Sequence, residues 1–324
     1  MRLVLVELTR FRSRRAIVLM LLAAALLSAV IAGTTIWETR PVSPADRAAA
    51  QAQAETEGQQ PFYKRDLERC EMNPRRFLGA DADAADCKEA VLPQADWFLN
   101  RSELSLAQER GDTGLAVIVI VCAFMILVGT TFAGADWASG SMSNQLLFEP
   151  RRVKVWLAKA AAVVLATLAV SIVIVCGFWL ALYVAAETRD IATVDRVLER
   201  IAWMSLRGVG LSSLAALAGY ALTMLLRHTV GTLAAMFAYA VGGEALTASL
   251  PFPGIGRWGL ANNVMAWLQG GWDYYDETLT CGPGRGMCDL TARLTQSEGA
   301  TYLLILLLIV TALSVVSFWR RDVP

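Results

Sequence analysis

Apolar residues gather in six long runs along the chain, at 16–37, 113–135, 155–186, 205–226, 229–250 and 300–319, and polar or glycine-broken segments separate them. A bilayer hydrocarbon core about 30 Å thick takes roughly 20 apolar residues per helix. The pattern therefore predicts an all-α membrane protein with six transmembrane helices. A membrane β-barrel would show alternating segments of about ten residues, which the chain lacks. The fourth run is the weakest, because Arg207, Gly208, Gly210 and Gly219 dilute it, and five spans is the alternative.

Composition agrees with this class. Of 324 residues 56% are hydrophobic and 18% charged, and the mean hydropathy of +0.46 is too high for one soluble core. The formal net charge of zero hides a sorting by side. Arg2, Arg10, Arg12, Arg14 and Arg15 face only Glu7 before the first run, and basic residues also dominate 136–154, 227–228 and 320–324. With six spans these segments share one face, which the positive-inside rule makes cytoplasmic. The expectation is a multi-pass protein of the plasma, or bacterial inner, membrane with both termini cytoplasmic. The first run is too long for a signal h-region, so it is read as an uncleaved span.

The opposite face then carries 38–112, 187–204 and 251–299. The first of these loops holds 15 acidic and 10 basic residues. Its alanine- and glutamine-rich stretch at 44–60 predicts a helix with Pro44 in the first turn, a second helix is expected over 96–109, and together they suggest a small helical cap. Four cysteines fall outside, Cys70, Cys87, Cys281 and Cys288, while Cys122 and Cys176 lie within runs. An oxidising exterior favours local pairs, Cys70 with Cys87 and Cys281 with Cys288, although four cysteines allow three pairings, or four thiols. With no outer histidine, no metal site is expected. The stretch 251–272 is too broken to span and too apolar for a solvated loop, so it reads as an interfacial or re-entrant hairpin between spans five and six. Trp258, Trp267 and Trp272 are its candidate interfacial anchors.

Catalytic chemistry is absent from the motifs. The chain has no GxxxxGK[ST] phosphate loop, no HExxH, no GxSxG and no CxxC, so no catalytic residue is expected. The single histidine, His228, reads as a solvated or headgroup-facing side chain. Glu244, in the fifth run, is a carboxylate at membrane depth and hence a functional candidate; a hydrogen-bonded structural role is the alternative.

The segment between spans two and three, DWASGSMSNQLLFEPRRVKVWLAK (136–159), carries the most information. An acidic residue, a glycine, a Leu-Leu pair, a proline, arginines and a lysine fall in the order Asp136, Gly140, Leu146, Leu147, Pro150, Arg151, Arg152 and Lys159, with Glu149 beside the proline. This resembles the pattern of ABC-2 type exporter permeases. Six spans, a basic amphipathic helix at 1–15 and a broken apolar hairpin before span six are also similar to that family; the large first outer loop departs from it. The resemblance implies that Asp136, Gly140, Leu146, Leu147, Glu149, Pro150, Arg151 and Arg152 couple the chain to a separate ATP-binding cassette subunit. Residues 141–148 would form a two-turn coupling helix, with Met142, Leu146 and Phe148 as an apolar docking ridge. Residues 1–15 would form an interfacial elbow helix, with Val4, Leu8 and Phe11 on one face.

The expected function is the permease subunit of an ATP-driven exporter of hydrophobic or amphipathic cargo such as lipid, peptide or drug. ATP and magnesium would bind the partner, and this chain would carry no cofactor of its own. The partners implied are cassette subunits, a second permease copy or homologue and membrane lipid, but not nucleic acid. A gradient-driven carrier relying on Glu244, or an accessory or sensory protein using the first outer loop, are the alternatives.

Overall fold

The computed structural model describes residues 2–78, 83–84, 86–99, 103–250, 252–276 and 290–321. In chain order the helices are α1 (Arg2–Ser13), α2 (Arg15–Glu38), α3 (Pro44–Gly58), α4 (Pro61–Met72), α5 (Pro74–Leu78), α6 (Asp86–Val91), α7 (Leu106–Gly111), α8 (Thr113–Ala138), α9 (Ser141–Phe148), α10 (Arg152–Glu187), α11 (Asp195–Leu226), α12 (Thr229–Ser249), α13 (Leu260–Gln269) and α14 (Gln296–Arg320). Two short strands, β1 (Trp272–Tyr275) and β2 (Thr291–Leu294), lie between α13 and α14. Six helices among the described residues are long and apolar enough to cross a membrane: α2, α7 continued by α8, α10, α11, α12 and α14. The chain is a multi-pass, helical membrane protein.

The fourth span is longer than its apolar run. α11 begins at Asp195, ten residues before the expected start, because Val197, Leu198, Ile201 and Met204 recur at helical spacing. Ile201 and Met204 are buried. α8 likewise runs three residues past its apolar stretch and so takes Asp136 into the helix.

Two compact units form. The first holds Met1–Ala32, Leu106–Val184 and Thr193–Pro324. Its tightest seam is α8 against α11, where backbones approach as closely as small residues allow. A Cβ on Gly129 would lie 2.0 Å from the Ala216 carbonyl oxygen, and one on Gly219 would lie 2.7 Å from that of Ile126. Such glycine-lined contacts replace the hydrophobic drive that lipid removes. α10 joins the seam through Trp156, whose carbonyl accepts from Tyr220 at 3.0 Å and whose indole N–H donates to Ser314 of α14 at 3.1 Å.

Between spans five and six the chain builds more than a broken loop. α13 packs on α14, and the antiparallel pairing Trp272 with Leu294 through Tyr275 with Thr291 sets a hairpin beside it. Ala266, Tyr274 and Leu294 form its buried centre. Burial, with Asp276 next in weight, pushes the Tyr274 phenol upward in pKa. The strands are a departure from an all-α reading, built on the aromatic run WDYY and the β-branched Thr291.

The second unit holds Gly33–Ser105 and Ala185–Ala192. Ser43 and Asp46 cap α3 reciprocally, with Pro44 in its first turn, and Ala50 and Ala54 are its buried face. A disulfide joins Cys70 of α4 to Cys87 of α6. Arg189 donates to the carbonyls of Ile36 at 2.7 Å and Thr39 at 2.8 Å. The helix expected over 96–109 is not continuous: a 3-10 turn covers Ala95–Phe98, residues 103–105 have no regular secondary structure, and helix resumes at Leu106. Leu104 and Leu106 are both buried. Cys281 and Cys288 lie outside the described residues.

Candidate functional site

The first four turns of the chain dictate one side of the site. Val4, Glu7, Phe11 and Arg14 recur every three or four residues and so share a face, which the structure turns inward: Glu7 is 0% and Phe11 2% exposed. A carboxylate on that face must find cations, and it finds Lys159. The Lys159 ammonium donates to Glu7 Oε2 at 2.8 Å and to Asp136 Oδ2 at 2.6 Å, and all three side chains are fully buried. Arg14 pairs with the other Asp136 oxygen and donates to the Phe132 carbonyl at 2.5 Å. The Phe132 ring lies beneath both cations, 4.9 Å from the Arg14 guanidinium carbon and 5.3 Å from Lys159 Nζ, a geometry in which the ring quadrupole attracts each charge.

α9 is wired into this network. Its approach is a left-handed turn at Gly140, φ 68°, a conformation that glycine adopts without the Cβ penalty. Ser141 then donates to Asp136 Oδ1 at 2.7 Å. Gln145 donates to Glu7 Oε1 at 2.6 Å and accepts from Arg10 at 3.0 Å. Thus α1, α8, α9 and α10 meet through one chain of charge-assisted bonds. Buried ions of this kind are tolerated because each is paired and its remaining lone pairs are satisfied.

The inward bonding of Gln145 fixes which side of α9 faces out. Met142, expected in the docking ridge, is buried at 1% exposure and belongs to the inner face. Leu146 is half-buried, while Leu147 and Phe148 stand 81% and 91% exposed. After the helix, Lys154 bonds to Glu149, and that bond holds the Glu149 carboxyl below its ordinary pKa. Pro150 and Arg151 are exposed. Arg152 instead turns to the end of α14, donating to the Arg321 carbonyl at 2.5 Å. Arg227 lies close by, its pKa lowered by burial and then by Arg321 and Arg152. The start of α10 and the ends of α11 and α14 therefore share one face of the bundle.

The other candidates sit apart from this network. Glu244 accepts from the Ala261 amide at 2.7 Å and so satisfies an open donor in the first turn of α13. His228 caps α12, its Nδ1 accepting from the Gly231 amide at 3.0 Å. Trp267 donates to the Arg207 carbonyl and Trp272 to Asn262, both at 3.2 Å, whereas Trp258 is 61% exposed. No group of three or more potential metal ligands occurs among the described residues.

Sequence reasoning counted Glu7 only as a lone acid among arginines and missed its role. The available signal was its place at helical spacing with Val4 and Phe11. Asp136 and Lys159 appeared as motif positions without their partnership. No family model, curated protein or solved structure matches the chain.

Proposed function

We propose that the chain is the membrane subunit of an ATP-driven exporter of the ABC-2 type, acting as a pair with a second copy or homologue and with separate ATP-binding cassette subunits. The cargo is hydrophobic or amphipathic and moves outward. One observation carries the reading: α9 offers Leu147 and Phe148 outward with nearly complete exposure while its inner face is hydrogen-bonded to α1 and α8. A partner gripping the outer face of α9 has a rigid path to α1, hence to α2, and through Lys159 to α10. Displacing α9 by ATP-driven closure of the cassettes would move these helices together, provided that the cassettes bind the two states differently. The exposed ridge supplies contact area, and Arg151 and Glu149 at its end set register.

The test is recovery from the native host in mild detergent, followed by mass spectrometry. A stoichiometric subunit bearing a phosphate loop is expected. The Leu147→Ala, Phe148→Ala double variant should insert normally yet lose that partner by about tenfold or more, as for removal of a binding hot spot. Undiminished recovery would sink the docking role of α9.

A second reading has its own support. The disulfide-stapled second unit is compact in itself and would suit a ligand-binding accessory or sensory protein. Deleting residues 40–109 separates the two: partner ATPase activity persists in an exporter, whereas a sensor loses all response.

A further inference from the structure

At the end of α11 remote from Tyr220, a cavity of about 550 Å³ opens among Arg110, Arg196, Glu199, Arg200, Trp203 and Arg207. Arg200 and Tyr220 are 20 residues apart on one helix, roughly 30 Å at 1.5 Å per residue. That is the thickness of a hydrocarbon core, so the cavity and the Glu7–Lys159 network lie at opposite membrane faces. Four arginines against one glutamate leave the cavity three charges positive. Among the described residues the side chains of Arg110, Arg196 and Arg200 have no hydrogen-bond or ion-pair partner, and the Arg207 side chain reaches only the Leu268 carbonyl, at 3.4 Å. Concentrated positive charge with low-dielectric walls draws an anion. The planar forks of arginine match phosphate oxygens two at a time.

An apolar track leaves the cavity along α11. Trp203 is 53%, Leu206 61% and Leu214 42% exposed, and these positions share a helix face. Trp203 and Leu214 are 11 residues apart, roughly 16 Å along the helix, so the track runs toward the middle of the bilayer. Charge at the interface with apolar surface below it is the complement of an amphiphile with an anionic head. We propose that this cavity binds the phosphate-bearing headgroup of an anionic lipid, its acyl chains lying along Trp203, Leu206 and Leu214. The site is independent of any ATPase partner.

The full chain, delipidated and reloaded in detergent with equal dioleoyl phosphatidylglycerol and dioleoyl phosphatidylcholine, tests this by mass spectrometry of the retained lipid. The anionic lipid should be preferred by about tenfold. Arg196→Gln with Arg200→Gln, both exposed positions, should reduce that preference to about twofold or less. Glu199→Gln should raise retention about twofold, an opposite change that a misfolded variant does not give. Displacement by millimolar pyrophosphate would show that phosphate chemistry suffices; retention in its presence would show that the headgroup is held with its chains. Equal retention of both lipids, a preference unchanged in the double arginine variant, or no gain in Glu199→Gln overturns the proposal.

Discussion

Glu7 and Lys159, 152 residues apart in sequence, meet at 2.8 Å with no solvent reaching either side chain. Lys159 also serves Asp136, so its loss would leave Glu7 with only the partly exposed Arg10, at 3.4 Å, as a cationic partner. Lys159→Met should therefore destabilise the chain by about 3 kcal/mol, the lower end of the cost typical of breaking a buried ion pair. Adding Glu7→Gln should restore most of that, since Asp136 keeps Arg14. Thermal unfolding in detergent, followed by tryptophan fluorescence, decides; a double variant no better than the single one refutes the pairing.

The α8–α11 seam makes a sharper steric prediction. Gly129→Ala pushes a methyl into the Ala216 carbonyl and should cost at least about 1–3 kcal/mol, as overpacking does. Gly177 has open space around it, so Gly177→Ala should be neutral or gain up to about 1 kcal/mol. Similar unfolding temperatures for the two variants would contradict the seam.

For Glu244 the structure separates charge from hydrogen bonding. Because Oε1 accepts from the Ala261 amide, Glu244→Gln should retain stability and, under the proposed exporter function, transport as well, while Glu244→Ala should lose about 1 kcal/mol, the worth of a helix cap. Loss of transport in the glutamine variant, measured in proteoliposomes with and without a proton gradient, would favour a gradient-driven carrier.

Reduction should loosen the second unit selectively. The Cys70–Cys87 bridge closes a loop of sequence separation 17, for which chain-entropy arguments give about 3 kcal/mol. Limited proteolysis with and without reductant should show faster cleavage within 44–98 and no change in α8 or α11. Identical cleavage rates would show that packing alone holds the unit.

The six spans and the extent of α9 were legible because a bilayer imposes length and apolarity directly, and the glycine before Ser141 and the proline after Glu149 mark the ends of α9. What escaped were relations that depend on rotation about a helix axis. Met142 and Leu146 share a side of α9 by spacing, but spacing does not say which side is inward; Gln145 bonding to Glu7 settles it. The β1–β2 hairpin was also hidden, since its strands are four residues each and their pairing is non-local. Glu244 was legible as unusual, but the segment it caps lies 17 residues further on.

The short turn between α11 and α12 has a consequence for biosynthesis. Arg227 in the left-handed region ends one helix and His228 begins the next, so no length of chain lets them enter the bilayer separately. α12 is the least apolar and least buried of the six spans and would partition weakly alone. Delivered as a hairpin with α11, it would share that helix's insertion free energy, and the order of synthesis would thereby supply what its own composition lacks.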